Sequence, residues 1–398
     1  MTLEVVVLKS YEELERWQSA WQELLQRSDA AAPTLTPDWL LSWWQVFGDS
    51  GGRNLRVGIV LERGKLVGLA PLLSRRHWYR SLLPFRRIEL VGSGEDPADE
   101  ICSDYVGVLA ERGKEAGVAS ELCRALCGGE FGAWDEIVFP AMNGQTEMPE
   151  LLRDALRKAG TFATTAVTNL APYVPLPASF EAYCAALPSS RRYMIKRSRR
   201  DFERWADGEI EVEIARTPAE LERGRVILEE LHAERWNGQG EDGVFASERF
   251  REFHRRVLPK LLSSGALELT WLNVRGEPVA VLYNVVYGKK VYFYQSGRKL
   301  DLPRGVRPGI VMHAQAIERS IALGRTEYDF LAGASRYKLE LSLARRPIVE
   351  LRAARPKAVE TMRRGAELAA ARVRSLRAGF RRLQDRTRVA ISPIISSG

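Results

Sequence analysis

Cysteine is scarce: only Cys102, Cys123, Cys127 and Cys184 occur in 398 residues. Cys123 and Cys127 stand one helical turn apart, with no histidine or second cysteine pair close enough in sequence for a zinc site. Reduced core cysteines and no bound metal are therefore expected. Histidine is equally rare, and none of His77, His232, His254 and His313 sits in a hydrolase pattern such as G-x-S-x-G. No window approaches 18 consecutive apolar residues, which excludes a spanning helix. The first residues, Met1–Trp17, lack the basic region and long apolar run of a secretion signal, so the expected location is the cytoplasm.

What is present is a globular composition, 45% hydrophobic and 28% charged, in a chain too long for one core. The net charge of +8 is unevenly placed. Arg352–Gly398 holds 12 Lys and Arg against 3 Asp and Glu, leaving 47 basic and 48 acidic residues in the nearly neutral remainder. From about Pro356 to Arg388, Met362, Ala366, Val373, Leu376, Phe380 and Leu383 recur at helical steps, with arginines on the other faces. Such a helix can pack on the body, pair with another chain, or lie on an anionic membrane, giving peripheral contact at the inner face.

The chain reads as two copies of one plan. Val5–Arg16 matches Val212–Arg223 at an offset of 207, and Glu62–Leu69 matches Val274–Val281 at 212. In the first half, Leu3–Leu8 reads as a strand and Ser10–Leu25 as a helix, with Ser10 and Glu13 as a capping box. Pro37–Phe47 is a tryptophan-rich helix, for a core or the wall of a groove. Leu55–Leu61 and Lys65–Leu73 read as a hairpin, followed by strands at Ile88–Val91 and Tyr105–Leu109. A helix at Lys114–Leu126, a strand at Glu136–Phe139, a helix at Met148–Lys158 and a strand at Thr161–Thr168 complete this half. A proline cluster places the seam near Thr168–Pro188.

The most informative stretch is Val291–Leu343. Val291–Tyr294 alternates as a strand, Pro308-Gly309 opens a helix ended by Gly324, and Tyr328–Leu331 is a short apolar strand. A strand feeding a glycine at a helix N-terminus offers free N–H groups and the positive end of a dipole, suited to a pyrophosphate. The same pattern also fits a plain βαβ crossover. Leu187–Arg204 carries 7 basic and 2 acidic residues, among them Arg191, Lys196, Arg197 and Arg200. It suits a phosphate-bearing partner or a solvated helix face.

Several short motifs together resemble the tandem GNAT superfamily, and in particular the CelD-type acetyltransferases of cellulose and exopolysaccharide synthesis. They are Pro37-Asp38-Trp39-Leu40 with Trp43-Trp44, Gly68–Leu72, Ser189–Arg192 with Ile195–Arg197, Gly243–Phe245, Pro308-Gly309, and Tyr328–Leu331 with Gly333 and Tyr337-Lys338. Fem-type peptidyltransferases, which use aminoacyl-tRNA, are similar in fold. The resemblance implies an α/β protein of two GNAT-like domains, each a mixed sheet flanked by helices. It implies a degenerate domain at 1–170, a linker with the basic helix at 171–207, an acyltransferase domain at 208–352 and a basic tail at 353–398.

It further implies an acyl donor, most simply acetyl-CoA, clamped by Arg304, Arg307, Pro308 and Gly309, with Tyr292, Tyr294 and Gln295 along the thioester. Asp329 is a candidate base or orienter, or else a turn aspartate. Tyr337 can protonate a leaving thiolate and Lys338 can bind an anion, unless both lie on a surface turn. Arg191, Lys196, Arg197, Arg200, Trp236 and Gly333 are candidates for a sugar, lipid-linked or amine acceptor from envelope or exopolysaccharide synthesis. A tRNA-dependent ligase and a non-catalytic scaffold are the alternative readings.

Overall fold

The computed structural model describes residues 2–238, 240, 243–333 and 335–367. The first half runs β1 (Leu3–Leu8), α1 (Tyr11–Glu15), α2 (Gln18–Gln26), α3 (Pro37–Phe47), β2 (Asn54–Leu55), β3 (Val57–Glu62), β4 (Lys65–Ala70), β5 (Leu72–Tyr79), β6 (Leu83–Leu90) and β7 (Leu109–Ala110). It continues through α4 (Glu115–Gly128), β8 (Glu136–Asn143), α5 (Met148–Lys158), β9 (Phe162–Pro175), α6 (Phe180–Ala186) and α7 (Ser189–Ala206). The second half comprises β10 (Ile210–Ile214), α8 (Pro218–Asn237), α9 (Glu248–Ser263), β11 (Leu267–Val274), β12 (Glu277–Tyr287), β13 (Lys290–Arg298), α10 (Pro308–Ala322), β14 (Glu327–Asp329), α11 (Arg336–Leu341) and β15 (Ala344–Ala354).

Among the described residues, eleven strands form one sheet in the order β10-β11-β12-β13-β14-β9-β15-β8-β6-β5-β2, and β1-β3-β4-β7 form a second. The result is the expected α/β architecture of mixed sheets flanked by helices. The halves exchange strands: β15, from the second half, pairs antiparallel with both β8 and β9 of the first. Strand β9 in turn pairs with β14.

Four sequence expectations change. The helix expected over Ser10–Leu25 breaks at Arg16-Trp17, although the Ser10–Glu13 capping box forms. Pro71, which has no N–H to give, ends β4, and the chain switches sheets into β5. The strand expected at Ile88–Val91 is the end of a long hairpin arm, β6. Tyr105 and Cys102 adopt left-handed backbone, so strand geometry begins only at Leu109.

The expected seam is not a turn-rich linker either, because β9 runs unbroken to Pro175. Its prolines are tolerated because the ladder there needs carbonyls. Pro172 C=O accepts from the Phe330 N–H at 2.9 Å. The tail is helical at 358–367, and the rest of the expected tail helix lies outside the described residues.

The tryptophan-rich α3 packs into the core. The Trp39 ring meets Phe253 of α9 at 4.9 Å and Tyr294 of β13 at 5.3 Å, both edge-on. Trp39 is 1% exposed, so truncation to alanine should cost about 3–5 kcal/mol. This contact ties the first half to the strand on which the candidate site is built.

Candidate functional site

Strands β13 and β14 run parallel but pair only from Lys290–Tyr292 to Glu327–Asp329. Beyond that point they part, and α10 starts above the opening. Opposite Tyr283/Asn284 a β-bulge shifts the register, so that Asn284 faces Phe293 and Tyr283 faces Gln295. The bulge reverses the alternation. Phe293, Ser296 and Arg298 thereby share the α10 face of the sheet, while Tyr292 and Tyr294 turn to the other.

A cleft of about 420 Å³ lies over this face, with Arg235, Ser296, Arg298, Arg307, Gly309, His313, Arg336 and Tyr337 among its walls. Helix α10 has Pro308 at its first position and no side-chain cap. The Ile310 and Val311 N–H groups both turn to Arg307 C=O, at 3.1 and 3.2 Å. A Cβ built on Gly309 would meet only Arg298 Cδ, at 3.8 Å, so this helix end is open to the cleft. An uncapped helix N-terminus ringed by four guanidiniums attracts a diphosphate. Glu340 answers Arg336 at 2.7 Å, and burial with the nearby Arg235 lowers the Arg298 pKa.

His313, on the turn after Gly309, is buried, and desolvation pushes its pKa down to about 3, so the ring is neutral. Its Nδ1 lies 3.1 Å from the Tyr328 hydroxyl, and its ring stacks on Tyr337 at 5.5 Å. Burial raises the Tyr337 pKa, which keeps its hydroxyl protonated.

On the far side of α11, the loop around Asp104 grips the turn after β14. Asp104 Oδ2 accepts from the Ala332 N–H at 2.7 Å, and Ala332 C=O accepts from Lys338 Nζ at 2.8 Å. Asp329 Oδ1 accepts from the Leu331 N–H at 2.7 Å, and Arg346 Nη2 bridges to Glu327 Oε2 at 2.7 Å. Desolvation pushes Asp329 and Asp104 up to about 6 and Lys338 down to about 8. A second groove, about 680 Å³, opens between the halves here, with Arg75, Glu95, Asp104, Asn169, Gly333 and Glu350 on its walls.

The structure brings Arg307, Pro308, Gly309 and Tyr337 together in the first cleft, and Gly333 to the second. Lys338 stands between them, its Nζ 3.8 Å from the Cβ position of Gly333. Arg304 lies instead in a neighbouring pocket with Arg197, Tyr193 and Arg307.

Tyr292 and Tyr294 do not line the first cleft. Tyr294 donates to Ile101 C=O at 2.6 Å within the core, and Tyr292 is 3% exposed. Gln295 occupies the register after the bulge and is not on the cleft wall. Asp329, at 0% exposure and with its oxygens engaged, reaches neither cavity, so it holds the turn instead of meeting a substrate. Arg191, Lys196, Arg197 and Arg200 lie on α7 and line neither cavity; Arg197 pairs with Asp201 at 3.1 Å and borders the neighbouring pocket that shares Arg307, and Lys196 borders a separate pocket beside Phe180. Trp236 donates to His232 Nε2 at 2.8 Å and lines neither cavity.

Sequence reading missed Arg235, Arg298, Arg336 and His313. His313 had a signal, since it stands four residues after Gly309 on one helix face. Arg298 had none, because its direction depends on the bulge.

Residues 189–339 match the family model described as acetyltransferase (GNAT) domain. Among solved structures, the chain is similar to FemX, at 10% identity and a TM-score of 0.57, over 86% of this chain and 96% of that one. It is also similar to the C-terminal DUF2156 domain of a protein named as a lysylphosphatidylglycerol synthetase, from Agrobacterium fabrum. There the identity is 10% and the TM-score 0.50, over 89% of this chain and 96% of that one. No curated protein matches the sequence. Residues 189–339 thus match a GNAT acetyltransferase domain, which supports an acyltransferase, on a chain whose fold is similar to that of FemX.

Proposed function

We propose that the chain moves an acyl group, most simply acetyl, from acyl-CoA to an amine or hydroxyl of an envelope or exopolysaccharide precursor. The observation that carries this reading is the uncapped N-terminus of α10 beside Arg235, Arg298 and Arg307 in one cleft. The Gly309 backbone and these guanidiniums hold the CoA diphosphate. The pantetheine then follows the gap where β13 and β14 part, which brings the thioester toward Tyr337.

The acceptor nitrogen or oxygen attacks the thioester carbonyl carbon. A new C–N or C–O bond forms and the C–S bond breaks. Tyr337 gives its proton to the departing thiolate, and Lys338, already pushed toward neutrality, takes the acceptor's proton. The acceptor lies in the groove by Gly333. The CelD-like motifs quoted above support the exopolysaccharide assignment. Thiol release from acetyl-CoA, assayed with amine- and hydroxyl-bearing sugar precursors, tests this reading. Wild type should release thiol with at least one acceptor, and Tyr337→Phe about a hundredfold more slowly. Equal rates would remove Tyr337 from the reaction.

A second reading, an aminoacyl-tRNA donor, is favoured by the pocket where Arg197, Arg304 and Arg307 extend positive charge past the helix end. The FemX-like fold and the neighbour named as a lysylphosphatidylglycerol synthetase support it too. Competition of charged tRNA against acetyl-CoA separates the two.

A further inference from the structure

We propose that the β5–β6 hairpin is a membrane anchor whose tip enters the interface of an anionic bilayer. The hairpin pairs without interruption from Leu72–Leu90 to Tyr79–Leu83. Its neighbour β8 accompanies β6 only at Arg87–Glu89. Of the remaining β6 residues, Arg86 is held by Asp135 and Phe85 is buried against the body, so what projects is the tip from Trp78 to Pro84, about 7 Å of β6 at ~3.3 Å per residue.

The tip is unusual for a solvent-exposed turn. Trp78 is 51% exposed and Leu82 78%, the highest value for a large hydrophobic side chain among the described residues. Arg80 and Ser81 both take left-handed backbone, φ 50° and 58°, where glycine would sit without strain. Side chains are thus kept at the tip against a backbone cost of roughly 1–2 kcal/mol per residue.

The charge of the arm is of one sign. Arg75–Arg87 contains five arginines and no acid. Arg75, Arg86 and Arg87 are held by Glu89, Asp135 and Glu136. Arg76 and Arg80 make no ion pair among the described residues, and Arg80 lies over the Tyr79 ring at 5.4 Å. An indole, a phenol, an aliphatic tip and unpaired guanidiniums match the layers of a bilayer interface: acyl boundary, carbonyl region and phosphate. An RNA could stack on Trp78 but would gain nothing from Leu82.

A second element meets the same end of the sheet. Helical residues 358–367 bring Arg363 within 6.0 Å of the Tyr79 ring and Arg364 within 3.9 Å of Phe162. Met362 and Phe162 are 59% and 45% exposed there. The hairpin base, through Arg75, Arg87 and Glu89, walls the groove that reaches Gly333. If that groove holds the acceptor, a consequence that rests on the proposed function, a lipid-linked acceptor would enter it beside the membrane. The anchor itself does not depend on that reading.

Flotation of the full chain with vesicles of phosphatidylcholine alone, or mixed with phosphatidylglycerol, tests it. Wild type should float with the mixed vesicles and not the neutral ones. Trp78→Ser with Leu82→Ser should cut partitioning about tenfold or more, and Leu82→Trp should raise it. Arg76→Gln with Arg80→Gln should abolish the preference for phosphatidylglycerol. Because these side chains are exposed, melting temperatures should not move. The inference is overturned if the serine variant floats like wild type, or if wild type ignores vesicles while binding tRNA through this tip. Loss of acetyl-CoA binding would count against the donor reading only and leave the flotation result standing.

Discussion

The Tyr105 hydroxyl donates to Asp329 Oδ2 at 2.8 Å across 224 residues of chain, joining a first-half loop to the turn that leads into Tyr337 and Lys338. Both side chains are buried. Tyr105→Phe removes one oxygen and leaves Asp329 Oδ2 facing only Arg346 Nε, 3.7 Å away. A stability loss of about 1–3 kcal/mol in urea unfolding is expected. A loss below about 0.5 kcal/mol would mean that this hydrogen bond contributes little to joining the halves.

The buried carboxylates of Asp104 and Asp329 set a pH dependence. Burial pushes each from the usual 3.8 up to about 6 in the folded chain. Between those values the folded protein holds protons that the unfolded chain has released. Stability from these groups is therefore full below about 4 and is lost as pH rises through about 6. Urea unfolding across this window should show wild type losing stability relative to Asp104→Asn and Asp329→Asn. A wild type that gains on both variants would contradict the assigned directions.

Lys338 gives a separate prediction, on rate. Its pKa is pushed down to about 8 by desolvation, and it accepts a proton only when neutral. Thiol release should rise with pH through about 8. Lys338→Met should remove that limb and slow turnover by about a hundredfold. An unchanged pH profile would exclude Lys338 as the base.

Arg235 and Arg298 should contribute to donor affinity through charge. Replacing either with glutamine should weaken acetyl-CoA binding several-fold and flatten its dependence on salt. An unaltered salt dependence would mean these arginines only solvate the cleft mouth.

Much of this was legible in the sequence because local chemistry carried it. Pro308-Gly309 marks the start of α10, Ser10 and Glu13 form their box, and the repeated strand–helix order gives the tandem plan. What was not legible depends on partners far apart in the chain. Nothing near Asp329 says that Tyr105 will bury it, so the sequence left a base and a turn aspartate both open. The alternation Val291–Tyr294 gave the strand but not the face, because the bulge that redirects Arg298 belongs to its pairing with β12. The prolines of β9 read as a linker, since nothing near Pro172 in sequence says that its carbonyl will accept from the distant Phe330 N–H. Trp78 and Leu82 went unread because exposure is a property of the folded hairpin.

The central claim is that Gly309 and the helix behind it hold the diphosphate of an acyl-CoA. Calorimetric titration of wild type and Gly309→Val with acetyl-CoA tests it most directly. A valine Cβ meets only Arg298 Cδ at 3.8 Å, so the fold should survive the change. Saturable one-to-one binding by wild type is expected, weakened about tenfold or more in the variant at an unchanged melting temperature. Equal affinities in the two proteins, or no binding by wild type, would contradict the account.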